Sequence, residues 1–466
     1  MVDELGVQLP YVLGEKDKSY YLLGSLERYA LGEGAVIVFE DGTSPDRFRA
    51  RLAELVGVVP RLRQVIRRGS LLPGDLRWVD DPSFDIDDHF VRLRLADPTR
   101  RGLGRLVSWL QSAPFSPDRS PWDVALIDGI EGKRCAMLRV HHVMADGLGT
   151  ARLAHAIFSD DPVSIAASGI VTEVSSGGQR RQIQAAASLL SGAIDGLSAL
   201  RSARVRKEQL RTIRAIAKPV HRSNGPRTTR TLMAVRVSQS EWRRIAKERK
   251  GGANELLLAV MAAVLTRCSA GGHSKLRVIM PVGQGAAPSG SANRQTDALL
   301  ELPCFGAVPS DLSELRSITD EAKRSAWSTQ TEPSAVQAII ALAPDGVAAR
   351  SLARLYSHTD CVASYLPALA AGNMTLDGAP AEEIYPFTVA LGNPITAAVL
   401  PYRDTLAISV NIDTGQVRDA GLVWGELIRT LDDLGLGMRE GFFAYNALPQ
   451  EVPRHARDLA GDMHRS

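Results

Sequence analysis

The chain has 466 residues, 45% of them hydrophobic and 23% charged, a balance that fits a globular protein and excludes wholesale disorder. The 55 basic and 52 acidic residues leave a formal charge of +3, which argues against a dedicated nucleic-acid binder. At about 150 residues per domain the length predicts two or three domains.

Four scattered cysteines (Cys135, Cys268, Cys304, Cys361) form no CxxC pair and no metal-ligand spacing, so they read as buried thiols of a reducing compartment. The first residues carry acids where a signal peptide needs a basic region and an apolar stretch. No run reaches the roughly 18 apolar residues of a spanning helix. A cytoplasmic or peripherally attached protein is expected.

In chain order, residues 35–40 (AVIVFE) predict a strand, and Phe48, Leu52, Leu55 and Val56 mark the apolar face of a helix. A second strand is predicted over 135–142 (CAMLRVHH), a turn at 146–149, and a helix over 149–158 that buries Leu153, Ile157 and Phe158. Residues 167–183 are rich in Ser, Gly and Ala, as a hinge is, and an amphipathic helical pattern follows over 184–216. Ten Lys or Arg residues against one acid, Glu208, fall between 201 and 230. Further on, strands are predicted at 231–238, 276–282, 384–391, 396–400 and 405–411, and helices at 241–249, 253–267, 311–328, 334–342 and 420–435. The small polar stretch 283–294 predicts an exposed loop. Its glycines show no phosphate-loop pattern. Strands and helices mix without a strict βαβ rhythm, which predicts mixed-sheet α/β architecture. The composition divides the chain into 1–180, a basic amphipathic crossover at 181–230, and 231–466.

The chemistry concentrates at His141-His142-Val143-Met144-Ala145-Asp146-Gly147. Side chains alternate along the preceding strand, so His142 shares a face with Ala136, Leu138 and Val140, while His141 points the other way with Met137 and Arg139. A histidine at a strand end is suited to general-base work, since its ordinary pKa near 6.5 lets it take a hydroxyl proton at neutral pH and return it. Asp146 falls where the next helix begins and would hold the loop as a cap or ion pair, and Gly147 permits a tight backbone there. The plain alternative is two packed histidines and an ordinary N-cap, and pattern alone gives the two readings similar weight. A metal reading lacks a third ligand.

HHxxxDG, as His141 to Gly147, resembles the active-site motif of acyl-CoA-dependent acyltransferases. The flanks narrow the resemblance to the bacterial wax ester synthase/diacylglycerol acyltransferase family. They are residues 56–68, 84–95, 116–149, the Asn254 helix at 251–267, and 395–419. The resemblance implies two chloramphenicol-acetyltransferase-like domains of mixed α/β fold with a channel between them. It implies transfer of a long-chain acyl group from acyl-CoA, as co-substrate and with no cofactor, to diacylglycerol or a fatty alcohol. His142 would be the general base in a ternary complex, His141 and Asp146 supporting groups, and Gly147 a space-giving position. Trp122 and Asn254 are candidates for the channel wall, set against a packing role for the first and an N-cap role for the second. The family's lipid substrates and the basic crossover point to a membrane or lipid-droplet surface, and the same crossover fits a solvated linker helix. Nothing implies a nucleic-acid partner.

Four elements depart from the family pattern. They are Pro121-Trp122, shortened by one residue; Asn254-Glu255 for Asn-Asp; Pro281-Val282-Gly283-Gln284-Gly285, without its arginine; and Ser364-Tyr365-Leu366-Pro367-Ala368. They leave two alternatives open: an acyltransferase with a carrier-bound donor or non-lipid acceptor, and a non-catalytic lipid-binding paralogue.

Overall fold

The computed structural model describes residues 11–26, 31–40, 44–69, 76–161, 230–269, 275–283, 293, 295–328, 345–356, 359–366 and 374–443. The predicted hinge at 167–183, the helices at 184–216 and 334–342, and all of the basic crossover except Arg230 lie outside them.

The first half runs β1 (Tyr11–Val12), α1 (Glu15–Gly24), β2 (Gly32–Phe39), α2 (Pro45–Val58), β3 (Gln64–Arg68), β4 (Leu76–Asp80), β5 (Phe90–Arg94), α3 (Arg100–Ser112), β6 (Trp122–Ile130), β7 (Lys133–His141) and α4 (Gly147–Ile157). The second half begins with β8 (Arg230–Ser238), α5 (Gln239–Glu248), α6 (Ala253–Cys268), β9 (Lys275–Gly283), β10 (Gln295–Pro303), α7 (Ser313–Ser328) and α8 (Asp345–Tyr356). It ends with β11 (Cys361–Tyr365), β12 (Thr375–Leu376), β13 (Ala379–Phe387), β14 (Ile395–Tyr402), β15 (Thr405–Asp413), α9 (Ala420–Asp433) and β16 (Met438–Phe442).

Local chemistry sets these elements. Ser44 caps α2 by accepting from Arg47 N, with Pro45 in the first turn where its missing N–H costs nothing. The four apolar residues read from the sequence are the buried face of that helix. β6 and β7 form a hairpin whose two turn residues, Glu131 and Gly132, both hold positive φ, at 49° and 77°. That geometry matches the strands' own twist. α6 is apolar all round from Leu256 to Leu265 and is a core helix of the second half. No single helix among the described residues is long and apolar enough to cross a membrane.

Strands assemble into a three-stranded sheet (β1-β4-β3), a six-stranded sheet (β12-β13-β2-β7-β6-β5) and a seven-stranded sheet (β10-β9-β11-β14-β15-β8-β16). The mixed α/β class holds. A division at 231 does not describe the sheets, because β12 and β13 join the sheet built by the first half. β13 pairs antiparallel with β2, from Ala381 against Phe39 to Phe387 against Gly34. The reading of 384–391 as a strand is corrected to Ala379–Phe387. Its polar start conceals it: Glu383 is buried, held by Arg100 through two bonds of 2.7 and 2.9 Å and by Arg236 at 2.8 Å. Burial there is compensated by charge pairing rather than announced by hydrophobicity.

Each face of the six-stranded sheet has its own core. Ala35, Ile37, Leu138 and Val140 pack toward α1, α2 and α4. Val36, Val38, Cys135 and Met137 pack toward α3, beyond which lie Leu232 and Ala234 of the second half. Arg230 is buried beside Asp413 at 3.6 Å, so the last residue of the basic stretch belongs to the interior and not to a solvated face. All four cysteines are free thiols, with Cys135 and Cys361 buried and Cys268 and Cys304 half-buried.

Candidate active site

β7 ends at His141, and the chain turns at once, with Met144 N donating to His141 O at 2.8 Å. Strand alternation therefore sends the two histidines to different surroundings. His141 lies against Phe115, and its Nδ1 accepts from Val143 N at 3.0 Å, which fixes the turn. Burial, then the neighbouring His142, pushes its pKa down to about 3, so His141 is neutral at physiological pH. Its role is to shape the turn that presents its neighbour.

His142 is buried, with Tyr20 edge-on to its ring at 4.2 Å between centroids. Glu33 Oε2 stands 2.9 Å from Nδ1, an ion-pair distance off the line of the ring N–H. The Gln295 amide nitrogen stands 3.1 Å from Nε2. An amide NH2 only donates, so Nε2 holds a lone pair and the ring proton sits on Nδ1, facing the carboxylate. This tautomer follows from the surrounding network. Burial opposes the charged imidazolium, yet Glu33 outweighs it and the pKa of His142 is raised above its ordinary value. Glu33 is itself buried, and its other oxygen accepts from Thr150 Oγ1 at 2.5 Å.

Asp146 is the N-cap of α4, accepting from Gly149 N at 3.0 Å. Gly147 follows it, and a Cβ added there would meet Leu366 Cδ2 at 2.9 Å. α4 then presents Gly147, Thr150, Ala151 and Ala154, a stripe of small residues at helical spacing, to a cavity. The cavity lies between the halves. Ala35, Ile37, Ile384 and Phe387 line it from the six-stranded sheet, and Pro281, Ser364 and Leu400 from the seven-stranded one. Its wall is mostly apolar, with Glu33 and Gln295 as the lining groups that touch the His142 ring.

The structure does not place the other two candidates on this cavity. Trp122 is in the core: its indole N–H donates to Leu62 O at 2.7 Å and its ring stacks on His89 at 4.8 Å. Asn254 does not cap its helix. Gly252 stands at the cap position, and the Glu255 carboxylate reaches back to accept from Gly252 N at 2.9 Å, while the Asn254 amide contacts Met280 Sδ at 3.1 Å. Two of the four departures from the family pattern, at Pro281 and at Ser364–Leu366, do reach the cavity wall.

Glu33, Tyr20, Asn293 and Gln295 were not singled out in the sequence. Glu33 had a signal, a lone acid at the head of a β-branched strand. Asn293 and Gln295 had none, because the first falls inside the stretch 283–294 that reads as an exposed loop and the second borders it. Asn293 is instead buried, and its amide donates to Asp17 Oδ1 at 2.8 Å and to His142 O at 2.7 Å. Among the described residues no group of His, Cys, Asp and Glu is arranged to hold a metal ion.

A model of the wax ester synthase/diacylglycerol acyltransferase catalytic domain matches residues 13–259, more than half of the chain. The chain belongs to the wax ester synthase/diacylglycerol acyltransferase family. It is thus an acyltransferase, and the family's C-terminal domain matches residues 296–434. A probable diacylglycerol O-acyltransferase of Mycobacterium tuberculosis is 25% identical over 430 residues, covering 87% of this chain and 90% of that protein. In the solved wax ester synthase/diacylglycerol acyltransferase from Marinobacter aquaeolei VT8 the fold is shared with a TM-score of 0.59 at 19% identity, over 91% of this chain and 98% of that one. The starter condensation domain of rhizomide synthetase shares it with a TM-score of 0.57 at 16% identity, over 91% and 93%. The chloramphenicol-acetyltransferase-like architecture expected from the sequence is the one observed.

Proposed function

We propose that the protein moves a long-chain acyl group from acyl-CoA to the hydroxyl of diacylglycerol or a fatty alcohol, with His142 as general base in a ternary complex. The carrying observation is the placement of the His142 ring on the wall of an apolar cavity, with Glu33 2.9 Å from Nδ1 and the Gln295 amide nitrogen 3.1 Å from Nε2. That placement favours a proton on Nδ1 and a lone pair on Nε2.

The acceptor hydroxyl gives its proton to Nε2 as its oxygen bonds to the thioester carbon. The imidazolium so formed is stabilised by the Glu33 carboxylate, which is the positioning group of the pair. When the tetrahedral intermediate collapses the C–S bond breaks, and the imidazolium proton goes to the departing thiolate. Direct transfer is favoured over an acyl-enzyme because, among the described residues, the ring nitrogens of His142 meet Glu33 and Gln295 and no serine or cysteine that it could activate. An apolar cavity walled by small residues suits an aliphatic chain, and such substrates place the work at a membrane or lipid-droplet surface.

The test is release of free CoA from palmitoyl-CoA, with diacylglycerol or hexadecanol as acceptor, by the native protein beside His142→Ala. Acceptor-dependent release that vanishes in the variant is expected. Release that survives in His142→Ala removes the base from this reading, and release only from a carrier-bound donor replaces the acyl-CoA.

A further inference from the structure

Two polar side chains touch the His142 ring and also line the cavity. Glu33 stands behind the ring at Nδ1, and Gln295 in front of it at Nε2. Nε2 has one lone pair, which accepts one hydrogen bond. An acceptor hydroxyl that reaches the base must therefore take the place the Gln295 amide now holds. The amide then still carries both N–H donors, beside the attacking oxygen.

It has little freedom to go elsewhere. β10 is locked to β9 from Gln295 against Gly283 to Pro303 against Lys275. The Gln295 carbonyl accepts from Lys16 Nζ, and Asn293, two residues upstream, is tied to Asp17 and to His142 O. Only the side-chain torsions of Gln295 remain to move the amide.

The geometry points to Gln295 as a catalytic residue of this reaction: displaced from Nε2 by the acceptor hydroxyl, its amide N–H donates to the oxyanion of the tetrahedral intermediate. This rests on the reading of His142 as base. As the hydroxyl oxygen bonds to the thioester carbon, the carbonyl π pair moves onto oxygen, and that oxygen accepts from Gln295 Nε2. It is bonded to the same carbon as the attacking oxygen, so a donor displaced from the base finds it close by. On collapse the pair returns to the carbonyl, the C–S bond breaks, and the proton on His142 leaves with the thiolate. A donor already in place in an apolar wall needs little reorganisation during the reaction, the condition under which such donors contribute most. A neutral amide also meets the oxyanion without supplying a second acid to compete with the imidazolium.

If Gln295 were only a cover over the base, removing it would speed the reaction, so the two roles differ in sign. Gln295→Met keeps length and volume but has no N–H. Its kcat is expected to fall about 10²–10³-fold, the loss typical of a deleted oxyanion donor. KM for palmitoyl-CoA and for the acceptor should stay within about threefold, since the interaction is made in the transition state. A kcat equal to or above the native value, or a loss confined to KM, overturns the proposal. Gln295→Ala carries the same test if a melting curve shows the methionine variant unfolded. Failure of the base itself looks different, because release would then survive in His142→Ala. No release by the native protein overturns both.

Discussion

Glu33→Gln isolates the charge beside His142, the proposed base, while leaving the side chain's shape. In the native protein the carboxylate stands 2.9 Å from His142 Nδ1 with both groups buried. A full charge pair at that distance is worth about 6 kcal/mol at an effective dielectric of about 20. That is an upper bound, because the native contact lies off the ring N–H line and the glutamine keeps a polar oxygen at the same place. The contribution of a hydrogen bond to a charged group, about 1.5–3 kcal/mol, is the better measure. It corresponds to a loss of about 10–150-fold in kcat/KM at neutral pH. A larger loss, toward about 10⁴-fold, follows if the amide turns its NH2 to Nδ1 and forces the wrong tautomer. The assay is CoA release followed from pH 5 to 9, over the range on which histidine bases titrate. Glu33 favours the protonated ring, so removing its charge lowers the pKa of His142, and the acid limb of kcat/KM moves to lower pH. The remaining neighbours hold the ring in place: Lys16 opposes its protonation, Asp297 favours it, His141 stays neutral and Tyr20 packs on its edge. A variant with native kcat/KM and an unmoved acid limb would refute this account of the base.

Other perturbations separate structure from chemistry. Trp122→Phe loses the indole bond to Leu62 O and should cost about 1 kcal/mol in denaturant unfolding while KM and kcat stay near native, since no cavity wall changes. Asp146→Ala removes the α4 cap and should cost about 1 kcal/mol, read in the same unfolding experiment. Gly147→Val forces its side chain on Leu366 at the cavity wall, so KM for the lipid substrate should rise more than kcat falls, with the melting temperature nearly kept. His141 is held neutral in the fold but gains a proton when unfolded near its ordinary pKa. The unfolded state then binds more protons, so this residue makes stability fall with falling pH from about 6.5 downward. His141→Asn should flatten that part of a plot of melting temperature against pH, and an unchanged slope would count against a neutral, buried His141.

The strand, turn and helix of HHxxxDG were legible because each has a local cause: alternation in β7, the cap at Asp146, and the apolar period of α4. So was α2, down to its four buried residues. What local pattern did not disclose depends on distant partners. β13 starts with a buried Glu383 that reads as surface until Arg100 and Arg236, from α3 and β8, are placed beside it. Gln295 reads as the border of a loop, and only pairing with β9 carries it more than 150 positions back along the chain to His142. Trp122 and Asn254 were singled out by their place in a family pattern. Here Trp122 packs in the core and Asn254 meets Met280 of β9, and neither is among the residues that line the cavity.

The loan of β13 to the other half's sheet bears on how the chain can be made. β7 is complete at residue 141, but the strand that covers the open side of β2 ends at residue 387, 246 residues later (387 minus 141). At about 5–20 residues per second, ribosomal synthesis leaves the β2 edge uncovered for about 12–50 s. Throughout that interval the nascent protein shows an unpaired row of backbone donors and acceptors beside Val36 and Val38, the kind of edge on which chains join one another. Slow or interrupted translation should thus cost this protein more yield than its finished stability would suggest, and a gene cut near residue 230 should give a first fragment that stays dissolved only when the second is made alongside it.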